Sequence, residues 1–152
     1  PEKKYQTASY RNIAEVIWAE ASEKEMVEFI RRFVFNALIG NGDMHLKNWS
    51  FIYPDKVKPD LAPAYDFLST LPYIPNEKIA LSFMGSKDFS SLTHEQFEKF
   101  AAKTGIPNEL IMETLVETIK NFKIAWKNTD NLKLSLRNII EEHLTTIPIY
   151  ST

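Results

Sequence analysis

Between Met26 and Leu38 the chain sets Met26, Phe29, Ile30, Phe33, Val34, Ala37 and Leu38 on one face of a helix. A stripe this wide and bulky cannot face water, so it predicts a long helix buried against a large partner surface. Ser22-Glu-Lys-Glu25 ahead of it reads as a capping box. Gly40 and Gly42 end it and turn the chain into the loop GNGDMHLKNWSFIY at 40–53. Whatever else folds must be built on that helix and deliver that loop to the surface.

The remainder reads as helices around this element. Ile13, Val16 and Ile17 give an amphipathic helix over 9–19. Trp49, Phe51 and Tyr53 alternate with Ser50 and Ile52 as a short strand, and Leu61-Ala62-Pro63 returns to make a small hairpin. A proline-bearing irregular stretch covers 72–90. Thr93-His94-Glu95-Gln96 opens a helix stopped at Gly105, with Phe97, Phe100 and Ala101 inward. Pro107 starts another helix through Ile111, Leu115, Ile119, Phe122 and Trp126, and Asp130 precedes a last one through Leu134, Ile139 and Ile140. The expected class is mainly α with a β-hairpin, in one domain over residues 1–152.

Composition narrows the functions available. Apolar residues make up 44% of the chain and aromatics 12%, enough for a sizeable core. A formal net charge of −2 argues against broad, nonspecific binding to nucleic acid or membranes. With no cysteine there is no disulfide, thiolate metal site or cysteine nucleophile, which fits a reducing, cytoplasmic setting. No apolar run approaches the ~20 residues of a membrane span, and no signal-peptide pattern opens the chain. Because the chain starts at Pro1, a piece of a longer protein is expected.

Asp43 stands five residues before Asn48, the Asp-x-x-x-x-Asn spacing of the protein-kinase catalytic loop. There the Asp meets the substrate hydroxyl and the Asn holds a magnesium ion. A second acid, Asp66, follows in the turn APAYDFLS, and the hairpin would carry it back beside Asn48. Mg2+ takes oxygen ligands, commonly one or two carboxylates completed by phosphate and water. Asp66 and Asn48 suit that role, Asp43 would stay free of metal to orient or deprotonate a hydroxyl, and His45 and Lys47 could reach phosphate oxygens. Each residue has a plainer reading. Asn-Gly-Asp is a turn signal, Asp66 can cap its own turn, His45 can be structural and Lys47 solvated. The joint pattern carries the argument.

These residues resemble the HipA-like serine/threonine kinases of bacterial toxin–antitoxin systems. The similarity rests on LIGNGDMHLKNWSF at 38–51 and LAPAYDFLS at 61–69. It is supported by KYQTASYRNIAEVI at 4–17 and IALSFMGSKDFSSLTHEQFEKFAAKTGIP at 79–107. The resemblance implies a kinase-like C-terminal helical lobe with ATP and Mg2+ as cofactors. It makes Asp43 catalytic and Asn48 and Asp66 metal-binding, with His45 and Tyr65 near the nucleotide. It also implies a helix-turn-helix antitoxin, operator DNA reached through it, and a translation component such as an aminoacyl-tRNA synthetase as protein substrate.

Departures from ordinary kinases are equally visible. Asn41-Gly42 replaces the His-Arg before the catalytic Asp, and Leu68 takes the glycine position after Phe67, which argues against a flipping Asp-Phe-Gly switch. Four glycines, at 40, 42, 85 and 105, cannot form a Gly-x-Gly-x-x-Gly phosphate loop, and no Val-Ala-Ile-Lys strand precedes Asp43. The nucleotide-binding N-terminal lobe is therefore expected elsewhere, and the isolated chain is expected to be inactive.

Three other readings compete. Lys120, Lys123 and Lys127, with Lys133 and Arg137, could form a DNA- or partner-binding face, against the simpler reading of a solvated helix. A hydrolytic metal site from Asp43, His45 and His94 or His143 lacks any His-Glu-x-x-His spacing. A pseudokinase is disfavoured by the presence of Asp43, Asn48 and Asp66 together.

Overall fold

A computed structural model describes residues 8–151. Six α-helices follow in order: α1 (Tyr10–Glu20), α2 (Glu23–Ile39), α3 (His94–Thr104), α4 (Asn108–Lys127), α5 (Leu134–Leu144) and α6 (Pro148–Ser151). Strands β1 (Phe51–Ile52) and β2 (Asp60–Leu61) pair antiparallel between α2 and α3, with Phe51 opposite Leu61. The fold is mainly α, as the periodicity predicts.

The α2 stripe is the centre of the molecule. All seven of its apolar residues are buried, and the helix packs on α4 most extensively, then on α1, α5 and β2. Phe33 is the aromatic hub, with ring centroids 4.6 Å from Tyr10 of α1 and 5.0 Å from Phe83. Phe83 in turn lies 4.8 Å from Phe97 and 5.0 Å from Phe100 of α3. Residues 72–90 are irregular as expected, yet this segment supplies Ile79, Leu81 and Phe83 to the core.

Local expectations fail where a distant partner competes. Ser22 makes no side-chain cap, the Glu25 N–H bonding to the Ser22 carbonyl instead, and the Glu25 carboxylate accepts the Leu61 N–H at 2.8 Å, tying α2 to the hairpin. Val16 faces solvent rather than the core, and Leu134 is exposed at the start of α5. The strand is two residues long, without Trp49 or Tyr53. Thr93 caps α3 by accepting the Gln96 N–H at 3.2 Å. Among the described residues no helix is long and apolar enough to cross a membrane.

Candidate active site

Gly40 closes α2 in the left-handed conformation, φ 69°, which an L side chain adopts at a cost. A Cβ there would also come within 2.2 Å of Leu71, so the position needs glycine twice over. At Gly42 a Cβ would meet the flexible end of the Glu77 side chain at 2.2 Å, so a larger residue there must push Glu77 aside. The chain then runs through Asp43, His45 and a single 3-10 turn, Leu46–Asn48, into β1.

Asp43 is exposed at the loop tip, its Oδ1 3.6 Å from Nε2 of His45. His45 thus sits against the acid. Its backbone N–H donates to Oδ1 of Asn48 at 3.2 Å. Only an oxygen can accept there, so the amide orientation of Asn48 is fixed, and a second lone pair remains on that oxygen. Lys47 is exposed, and its ammonium makes no ion pair among the described residues. The Tyr65 hydroxyl donates to the Lys47 carbonyl, which joins the loop to the Asp66 segment.

Asp66 is exposed and adopts φ 58°, a left-handed conformation that Asp tolerates better than most residues. Asn48, Tyr65 and Asp66 line one crevice of about 10 Å³, together with Asn41 and Arg32. That volume matches roughly one water or small ion, not a nucleotide. Phe67 turns outward over α2, its ring 5.6 Å from that of Phe35. Asp43 does not line the crevice and connects to it through Asn41.

Several residues that order the site carry no motif signal. Asn41 is buried, accepts the Asp43 N–H at 3.0 Å and donates to the Asp66 carbonyl at 3.0 Å. Thr70 accepts the Gly42 N–H at 2.9 Å and donates to the Gly40 carbonyl at 3.2 Å. Arg32 is held by Glu28 and by the Ala62 carbonyl, each at 2.7 Å. The buried Tyr10 hydroxyl reaches the Met44 carbonyl at 2.7 Å, and burial pushes its pKa well up. The one available cue was Asn36, a polar residue on the α2 stripe that had to find a buried partner.

The donor set is suited to a hard cation only in part. Among the described residues no three His, Asp or Glu side chains cluster as metal ligands. A magnesium ion here could take at most one carboxylate, from Asp66, and one amide oxygen, from Asn48, so its other ligands would have to be phosphate and water.

The lysine-rich face is partly apolar. Lys120 and Lys123 border a shallow apolar groove with Val116, Ile124 and Ile149, and Lys123 lies over the Tyr150 ring at 4.8 Å. Lys127 is exposed. Arg137 is occupied internally, donating to Thr129 and Trp126 carbonyls and to Glu141.

The family model of the HipA-like C-terminal domain matches residues 1–126. The chain is 43% identical over 154 residues to "Putative kinase Y4dM" of Sinorhizobium fredii, covering 99% of this chain and 38% of that protein. It is 30% identical over 131 residues to a Haemophilus influenzae protein named "Putative kinase", covering 75% of this chain and 38% of the relative. The chain therefore spans under two fifths of the length of these relatives. In structure it resembles HipA of Shewanella oneidensis, solved with HipB and operator DNA. The TM-score is 0.66 at 19% identity, over 95% of this chain and 34% of that one. The sequence matches and the shared fold agree: this chain belongs to the HipA-like C-terminal domain family.

Proposed function

We propose that this chain is the C-terminal lobe of a HipA-like serine/threonine protein kinase. The supporting observation is that two segments 18 residues apart in sequence, ending at Asn48 and Asp66, line one crevice and are hydrogen-bonded to the Asp43 loop. The substrate hydroxyl oxygen attacks the γ-phosphorus of ATP, the bond to the ADP oxygen breaks, and the hydroxyl proton passes to the Asp43 carboxylate. Asn48 and Asp66 would hold Mg2+, which when bound neutralises charge on the phosphate oxygens. His45, beside Asp43, and the free ammonium of Lys47 are donors for those oxygens, and Tyr65 borders the nucleotide. The phosphate loop and its lysine lie on a separate N-terminal lobe, so the 152 residues alone transfer no phosphate.

In the intact protein, Asp43→Asn and Asp66→Asn should each lower phosphate transfer by about 10²–10⁴-fold with the fold retained. Unchanged turnover in either variant would remove that residue from the mechanism. The solved HipA complex with HipB and operator DNA supports a helix-turn-helix antitoxin as partner, with DNA engaged through it. A translation component such as an aminoacyl-tRNA synthetase is the proposed substrate class.

A further inference from the structure

We propose that Asn41 is a positioning residue that sets the separation of Asp43 and Asp66 by gripping both backbones with one side-chain amide. The inference rests on the kinase reading of those two acids. Asn41 is 3% exposed, and every hydrogen-bonding group of its amide except one lone pair is used. Oδ1 accepts the Asp43 N–H at 3.0 Å; Nδ2 donates to Oδ1 of Asn36 at 2.7 Å and to the Asp66 carbonyl at 3.0 Å. The amide orientation is not a matter of choice, because an N–H must face the oxygen and a carbonyl must face the nitrogen.

Asn36 makes the grip rigid. It is fully buried in α2, its own Nδ2 donates to the Arg32 carbonyl at 2.8 Å, and its carbonyl accepts the Asn41 N–H at 2.9 Å. The reference point for both acids is therefore the central helix of the core. No other side chain of this length offers one acceptor and two donors in a plane. Aspartate lacks the donors, serine and threonine are too short, and histidine has no third site.

The contact to Asp66 also bears on its backbone. Asp66 is held at φ 58°, where an L residue is disfavoured, with its carbonyl on Asn41. Without that donor Asp66 relaxes toward negative φ and its carboxylate moves relative to Asn48, while the apolar core is untouched. In the ordinary kinase motif this sequence position, two before the catalytic Asp, belongs to histidine. Here an amide anchored on α2 takes the place.

The test uses the intact protein with Asn41→Asp and Asn41→Ala. The aspartate keeps the acceptor for Asp43 and loses the donor to Asp66; the alanine loses both. Amide hydrogen exchange at Asp43 should stay slow in the wild type and in Asn41→Asp, and accelerate at least tenfold in Asn41→Ala. Mn2+ titration in the presence of ATP, followed by electron paramagnetic resonance, should show at least tenfold weaker binding in both variants. The Mg2+ concentration for half-maximal turnover should rise in parallel, with KM for the protein substrate unchanged. Unaltered Mn2+ binding and turnover in both variants, alongside loss of activity in Asp43→Asn and Asp66→Asn, would overturn the positioning role and leave the kinase reading standing. If Asp43→Asn and Asp66→Asn are as active as the wild type, the kinase reading itself fails. A variant that loses its cooperative thermal transition also overturns the proposal, since Asn41 would then be holding the fold.

Discussion

The phenol of Tyr10 donates to the backbone carbonyl of Met44 across 34 residues of sequence, at 2.7 Å. Tyr10 is fully buried with its ring tilted against Phe33, so α1 and the core together fix the middle of the Asp43 loop. Tyr10→Phe preserves the ring and strands the Met44 carbonyl. We expect a loss of about 1–3 kcal/mol in urea unfolding, and reduced phosphate transfer in the intact protein. Wild-type stability in that variant would mean the carbonyl finds water or another donor.

Glu25 anchors the hairpin through its bond to the Leu61 N–H. Glu25→Leu leaves a buried donor without a partner and should cost about 1–3 kcal/mol, whereas Glu25→Gln keeps an acceptor and should cost less. Thermal unfolding of the two variants side by side decides it. Equal midpoints would show that the carboxylate contributes packing and no anchor.

Gly42 lies under the Glu77 side chain. Gly42→Ala forces the flexible end of Glu77 aside and should destabilise by up to about 1 kcal/mol in thermal unfolding. Adding Glu77→Ala removes the obstructing atoms and should restore most of the loss, so the pair is non-additive. A double variant no better than the sum of its parts would place the cost in the loop backbone instead.

His143 ties pH to stability. It is buried on α5, its Nε2 lies 2.8 Å from the Ala37 carbonyl of α2, and its ring meets Phe89 edge-on at 4.7 Å. Burial lowers its pKa, and the bond to Ala37 opposes that shift in part. The folded form therefore binds a proton less readily than the unfolded chain. Its contribution is complete above the unfolded value of about 6.5 and is lost as pH falls from there through the depressed folded value. The urea midpoint should drop between pH 7.5 and 5.5, and His143→Gln should flatten the drop. An identical pH slope in the variant would assign the effect to other groups.

Helices were legible in the sequence because one periodic signal repeats along each of them: Met26 to Leu38 sufficed for α2. The glycine-bounded loop and the return of Asp66 toward Asn48 were legible from motif spacing. What stayed hidden depends on single polar residues meeting partners far away. Nothing local distinguishes the Glu25 that holds Leu61 from a capping glutamate, or the Asn41 that grips Asp66 from a turn residue. Thr70 likewise reads as an ordinary loop threonine until Gly40 and Gly42 are seen beneath it. Helix α6 was missed because Pro148–Ser151 is too short to show any period.

Arg137 lies over the Trp126 ring at 5.1 Å and closes the end of α4 with its remaining donors. Paired with Glu141, it adds little net charge for a polyanion running along α4 and α5, which leaves Lys120, Lys123, Lys127 and Lys133. Four neutralised phosphates release counterions with a logarithmic salt dependence of about 3.6 at most. Any steeper ionic-strength response by the intact protein must originate on a different surface.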